Sequence, residues 1–423
     1  MTPPLRRRTT LTPLTCRRTT LTVAAAVSAT LLAAPAATAD TASDQCTFSK
    51  TNHKYSSTPW ALQRVNLDEL WSESKGKGVR VAVIDTGVDT ANPQLTGAVN
   101  ASLGANFLPR KDTKGQPIED RGNDKGTTDT VGHGTRVAGI IAARPMEGTG
   151  FVGLAPEATI IPIKQNDAEG HGTAATLVTA IRHAIKEKAD VINISQDTTG
   201  AAPDEGLHRA VDEALGAGVV VVASAGNNGL NGKNQDTYPA SYPGVLAVAA
   251  SDRNNERAPF SQPGDFVGVA APGVDMISTV PKGGHCSDNG TSFSAPYVAG
   301  VAALIKAKHK DWTPREIVAQ IEQTAERAIP GNDRLVGWGV VDPVRALTED
   351  DHPIESPRPD SGLTHAEAPT PAELTLGETP QERTARIATY VSVGVAVLVA
   401  ALGGGAVALR DARRRRRAVE GRA

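Results

Sequence analysis

A chain of 423 residues with 39 % hydrophobic and 21 % charged side chains can bury one large core or two ordinary ones, which excludes an intrinsically disordered protein. The formal net charge of −2 hides an asymmetry. Basic residues crowd both ends, Arg6, Arg7, Arg8, Arg17 and Arg18 at one and Arg410 and Arg413 to Arg417 at the other, in the manner of membrane-topology signals rather than nucleic-acid sites.

In chain order, residues 1–39 read as a secretory signal peptide. A charged start is followed by the apolar run "LTVAAAVSATLLAA" and by "ATA" at Ala37 to Ala39, so the mature chain is expected to begin near Asp40. Arg17-Arg18 offers a twin-arginine alternative, but the "TTLT" after it matches that context poorly, and the general export route is expected. With Cys16 removed, Cys46 and Cys286 remain as an even pair in an oxidising compartment, with a single possible connectivity. A disulfide between them should hold their Cα atoms within roughly 7 Å and tie the N-terminal extension, residues 40–78, to the folded domain.

From Val79 to Leu347, short β-branched runs alternate with helical stretches. "VRVAVID", "ATIIPIK", "DVINIS", "VVVVASAG" and "VLAVAAS" are apolar on both faces, as buried parallel strands are; "TAATLVTAIRHAIKEKA", "DEGLHRAVDEALGAG" and "SAPYVAGVAALIKAKH" read as helices. The expected fold class is therefore α/β, with a mostly parallel central sheet covered by helices on both faces, and with its site at the carboxyl ends of the strands. After it come a proline- and acid-rich linker (residues 348–386), a charge-free run of 23 residues from Ile387 to Leu409, and a basic tail (residues 410–423). The run is long enough to cross a hydrocarbon core of roughly 30 Å at about 1.5 Å per residue. The arginines behind it would keep that side cytoplasmic and the bulk of the chain outside the cell.

Three residues fall where the strand-end rule puts a site: Asp85 at the end of "VAVID", His133 opening "GHGTRVAGIIAAR", and Ser292 at the loop-to-helix junction in "NGTSFSAPYVAG". Singly, each has a plain structural reading as a turn cap, a loop histidine or an N-cap. Together they form a relay in which Ser292 attacks, His133 takes its proton and Asp85 fixes the imidazole tautomer. Asn227 in "ASAGNNG", on a loop leaving a strand, can donate to a developing oxyanion, as can the backbone amide of Ser292 at a helix start. Cys286 beside His285 suggests a thiol dyad, but sequence neighbours seldom face each other. Neither an HExxH motif nor clustered His and Cys spacing occurs, so no metal chemistry and no cofactor are expected.

At these motifs the chain resembles the subtilisin-like serine proteases: "VIDTGVD", "GHGTRVAG", "SAGN" and "GTSFSAPYVAG" are similar to that family's four signatures, in its order. The resemblance implies a serine endopeptidase with Asp85, His133 and Ser292 as triad, Asn227 in the oxyanion hole, and peptide or protein substrates. Structural calcium occurs in the family, but the sequence offers no ligand loop for it. "GHGT" occurs again at Gly170 to Thr173, where it resembles the Gly-x-Gly edge that holds substrate backbone, so Gly170 and Gly172 are expected there rather than a catalytic histidine. Ser195, Gln196 and Asp197 stand where many members have Ser-Leu-Gly-Gly along the substrate pocket, and Asp197 implies a preference for basic or polar side chains.

The stretch from Asp40 to Pro59 is far shorter than the family's usual inhibitory prodomain, which implies an extension that stays wrapped on the domain. With the polar insertion from Ala105 to Asp129, the linker, the span and the basic tail, the ensemble is similar to the mycosins. Those are membrane-anchored subtilisin-like proteases that accompany type VII secretion systems. The resemblance implies a membrane secretion complex as partner, with stabilisation of that complex as the alternative main role.

Overall fold

The computed structural model describes residues 54–111, 114–118, 121–168, 171–196, 203–231, 235–360 and 377–420. The expected signal peptide, Cys46 and much of the linker lie outside them. The chain divides into two units, one reaching Asp360 and one starting at Ser361.

The first unit opens with two short helices, α1 (Trp60–Gln63) and α2 (Leu67–Glu73). There follow β1 (Arg80–Asp85), β2 (Ala105–Asn106), α3 (His133–Ala142), β3 (Thr159–Lys164), α4 (Ala174–Lys186), β4 (Val191–Ile194), α5 (Glu205–Gly216), β5 (Val220–Ser224), β6 (Leu246–Ser251) and β7 (Val267–Pro272). A hairpin of β8 (Met276–Thr279) and β9 (His285–Asp288) leads into α6 (Thr291–Lys308), α7 (Pro314–Thr324) and α8 (Pro343–Thr348).

The seven strands β1 to β7 form one sheet in the order β2-β3-β1-β4-β5-β6-β7, parallel at every pairing. The period-2 geometry of a strand explains the uniformly apolar sequences. Val81 and Val83 of β1 join one core cluster with α3 and α6, whereas Ala82 and Ile84 join the opposite cluster with α4 and α5. Val220 and Val222 of β5 divide from Val221 and Ala223 in the same way. The chain order reverses at β1, which is flanked by β3 on one side and β4 on the other. Asp85 therefore ends the strand at the topological switch point, where an open α/β sheet leaves a crevice.

Helix α6 is the central post. Every residue from Thr291 to Ile305 is buried, which is why its sequence is apolar or small all round rather than amphipathic. The N-terminal extension packs into the same core through Ala61, Leu62 and Leu70. Its two indoles donate outward, Trp60 Nε1 to Val274 O and Trp71 Nε1 to Leu154 O, both at 2.9 Å. At the other end, the residues after α8 stay on the body. Asp350 accepts from Lys308 Nζ at 2.8 Å and from His309 Nε2 at 2.6 Å, and the Asp360 amide donates to Pro330 O at 2.7 Å. Contacts with the folded body thus continue about a dozen residues past Leu347.

The second unit contains α9 (Pro380–Glu420), opened by a Thr379–Glu382 capping box and including the whole Ile387–Leu409 run. It is long and apolar enough to cross a membrane.

Candidate active site

Asp85 and His133 are drawn together by β1 and the start of α3. The His133 Nδ1 lies 2.8 Å from Asp85 Oδ1, and the same oxygen accepts the Thr86 amide at 2.7 Å. Both side chains are buried, at 1 % and 2 % exposure, so this pair is shielded from solvent screening. A carboxylate can only accept; the contact therefore sets Nδ1 as the protonated nitrogen and leaves Nε2 as the acceptor. Two glycines permit the approach. Gly132, which caps α3, holds φ at 82°, and a methyl group at Gly134 would run into the Gly87 carbonyl and the Asp85 carboxylate.

A second buried carboxylate, Asp129, organises the turn before His133. Its Oδ1 accepts the Gly132 amide at 2.7 Å and the Thr86 hydroxyl at 2.9 Å, and its Oδ2 accepts the Thr135 amide and hydroxyl at 2.9 and 2.6 Å. Burial pushes the Asp129 carboxyl upward, against the pull of these donors and of Lys164. Lys164, at the end of β3 and fully buried, donates to Thr86 O at 2.8 Å. By sequence Asp129 is only the end of a polar loop. Its one signal is an acid four residues before the histidine of the Gly-His-Gly.

Ser292 stands in the first turn of α6, 2 % exposed, with its Oγ 3.1 Å from Ser195 O. Ser195 returns the contact, its hydroxyl donating to Ser292 O at 2.9 Å while accepting from Asn193 Nδ2 at 2.9 Å. That carbonyl has room for the bond because Pro296, four residues on inside α6, has no N–H to offer it. Phe293, the next residue, packs its ring 5.4 Å from the His133 ring, which sets the start of α6 beside the start of α3. The helix begins at Gly290 without a side-chain cap, so its positive end faces the site.

Asn227, just beyond β5, is half-buried, and its Oδ1 accepts both the amide and the hydroxyl of Thr291, at 2.9 and 3.1 Å. The Thr291 hydroxyl also accepts the Gly226 amide at 3.2 Å. With its oxygen end fixed, the side chain presents Nδ2 as a donor. Thr291 stands directly before Ser292, and nothing in its sequence context marks it as the partner of Asn227.

Gln196 is buried and donates to Gln165 Oε1, and Gly172 lies against Asn166, whose Oδ1 accepts its amide at 3.2 Å. Gly170 and Asp197 lie outside the described residues. His171 belongs to a separate local pair, its Nδ1 2.7 Å from Asp167 Oδ2 four residues earlier. Cys286 lies on β9, its Sγ 3.9 Å from Arg136 Nη1. Both ring nitrogens of His285 are engaged elsewhere, Nδ1 by the Tyr55 amide at 3.1 Å and Nε2 by Gln94 Oε1 at 2.6 Å. No group of three or more potential metal-ligating side chains occurs among the described residues.

Residues 76–339 match the subtilase family. Subtilisin E of Bacillus subtilis is 38 % identical over 292 residues, which span 68 % of this chain and 71 % of that protein. Subtilisin Savinase of Lederbergia lenta is 38 % identical over 286 residues, 67 % of this chain and 97 % of that one. Among solved structures, the MycP3 protease from the type VII (ESX-3) secretion system aligns with a TM-score of 0.61 at 34 % identity, over 71 % of this chain and 92 % of its own. MycP1 from Mycobacterium smegmatis aligns at 0.59 and 29 % identity, over 82 % and 93 %. The chain belongs to the subtilase family of serine endopeptidases.

Proposed function

We propose that Asp85, His133 and Ser292 are the catalytic triad and that the Asn227 side chain and the Ser292 amide form the oxyanion hole. The observation that carries this reading is the buried 2.8 Å His133–Asp85 contact beside the start of α6. His133 Nε2 takes the Ser292 hydroxyl proton as Oγ adds to the substrate carbonyl. The resulting oxyanion is met by the Asn227 amide donor and the positive end of α6. His133 then gives the proton to the departing amine; a water molecule adds to the acyl carbon as the same nitrogen takes its proton, and that proton passes to Ser292 Oγ as the bond to the acyl group breaks and the carboxylic acid leaves. Asp85 holds the tautomer throughout. Hydrolysis of a casein or peptide-library substrate should be abolished by Ser292→Ala and by His133→Ala and retained by His171→Ala. Loss in His171→Ala with retention in His133→Ala would overturn the assignment.

We further infer a protease of the mycosin type, anchored by a single pass of α9 with its catalytic unit outside the cell and its arginine tail inside, and serving a type VII secretion complex. The MycP neighbours and the apolar α9 support this reading. In this reading residues 79–347 form the catalytic domain and Cys46 bonds to Cys286. Comparison of new protein termini in the secreted fraction of wild-type and Ser292→Ala cells tests the proteolytic role. Secretion that survives Ser292→Ala but not deletion of the gene would assign the main role to stabilising the complex.

A further inference from the structure

A buried guanidinium lies behind the site. Arg136, one turn after His133 on α3, is 1 % exposed, and its Nη1 is 3.3 Å from Asp288 Oδ2 on β9. The guanidinium sits 5.4 Å over the Phe293 ring, the same ring that packs on His133. Its Nε and Nη2 have no hydrogen-bond partner among the described residues. A contact to Asp288 with two guanidinium nitrogens left unbonded compensates poorly for burying such an ion, so Arg136 is a poor device for stability. Its position gives it another use.

We propose that Arg136 is a positioning residue for the His133 base, its fixed positive charge opposing formation of the imidazolium so that His133 stays neutral into weakly acidic solution. The charged groups gathered about the start of α3 are Asp85, in contact with His133, Asp129, which binds the Gly132 and Thr135 amides, Lys164, bonded to Thr86 O, Arg136 on α3 itself, and Asp288, paired with Arg136. The three carboxylates favour a protonated imidazole; the two cations oppose it. Asp288, Asp129 and Asp85 in turn hold up the guanidinium's charge against burial, which lowers its pKa. Removing Arg136 takes a fixed positive charge from beside Phe293, the ring that also packs on His133, and keeps the negative charge of Asp288. The His133 base should then keep its proton to higher pH.

The inference rests on His133 acting as the base. Its test is the pH dependence of kcat/KM, whose acid limb reports the free enzyme's base. Arg136→Met should move that limb upward by about 0.5–1 pH unit, Arg136→Lys should restore it, and Arg136→Met with Asp288→Asn should bring it back toward the wild-type position. The double variant also replaces a buried ion pair by neutral groups, which folds serve well, and guards against a failure of the single variant to fold. An acid limb that stays put in a folded Arg136→Met enzyme would overturn the proposal while leaving the triad intact. Full activity in Ser292→Ala would instead overturn the triad.

Discussion

At the scale of single residues, Asn227 and Glu322 carry the sharpest expectations. Asn227→Ala removes the donor proposed to meet the oxyanion, and kcat should fall on the order of 10²- to 10³-fold with KM little changed. A rise in KM at constant kcat would show that Asn227 only binds substrate. Glu322 on α7 lies over Gly268 of β7, and burial alone pushes its carboxyl from 4.5 up to about 7. Below about pH 4.5 folded and unfolded chains both hold this proton. As pH rises the unfolded chain loses it first, so stability falls until the folded carboxyl has ionised, near pH 7. Glu322→Gln should leave stability unchanged at pH 4 and raise it by roughly 2–3 kcal/mol at pH 8, as read from urea unfolding at both values. Equal effects at the two pH values would contradict the cause given.

At the scale of elements, the sequence disclosed those whose pattern is continuous. The five apolar runs became β1, β3, β4, β5 and β6, because a strand buried on both faces needs apolar residues without a break. The edge strand β2, two residues long, and the β8–β9 hairpin, built from "MIST" and "HCSD", have no such signature and depend on contacts distant in sequence. Helix α7 carries a local signature of its own: Thr313, Pro314 and Glu316 make a capping box with proline at the first position. In the site, the residues with chemistry in their side chains stood out by motif. Those that hold them did not, because Asp129 and Thr291 act through amides and hydroxyls that only the fold brings near; Ser195 was expected along the substrate pocket, and its contact with Ser292 is likewise a product of the fold. Helix α1 supplies the test at this scale. Trp60→Phe keeps an aromatic ring but deletes the bond to Val274 O, and should cost about 1 kcal/mol in chemical unfolding with kcat unaltered. No change in stability would mean that the extension is held by apolar contact alone.

For the molecule as a whole, the two units divide the labour: the first holds the peptidase fold, the second the apolar helix. A chain ended after Gly377 is expected to leave the membrane fraction on cell fractionation and to keep the kcat of the full chain on a small peptide. Retention in the membrane would assign anchoring to the first unit. The proposed triad was more legible in the sequence than the architecture around it, since it needs three side-chain types at fixed junctions, while the extension and the post-α8 segment are held by scattered side chains such as Leu62, Leu70, Trp60, Trp71 and Asp350 whose partners lie far off in sequence. The central claim is that Ser292 is the nucleophile activated by His133. It is tested most directly by treating the full chain with a fluorophosphonate and locating the adduct by peptide mass spectrometry. A stoichiometric adduct on Ser292, lost in His133→Ala, is the expected result; an adduct on another residue, or undiminished labelling of Ser292 in His133→Ala, would contradict it.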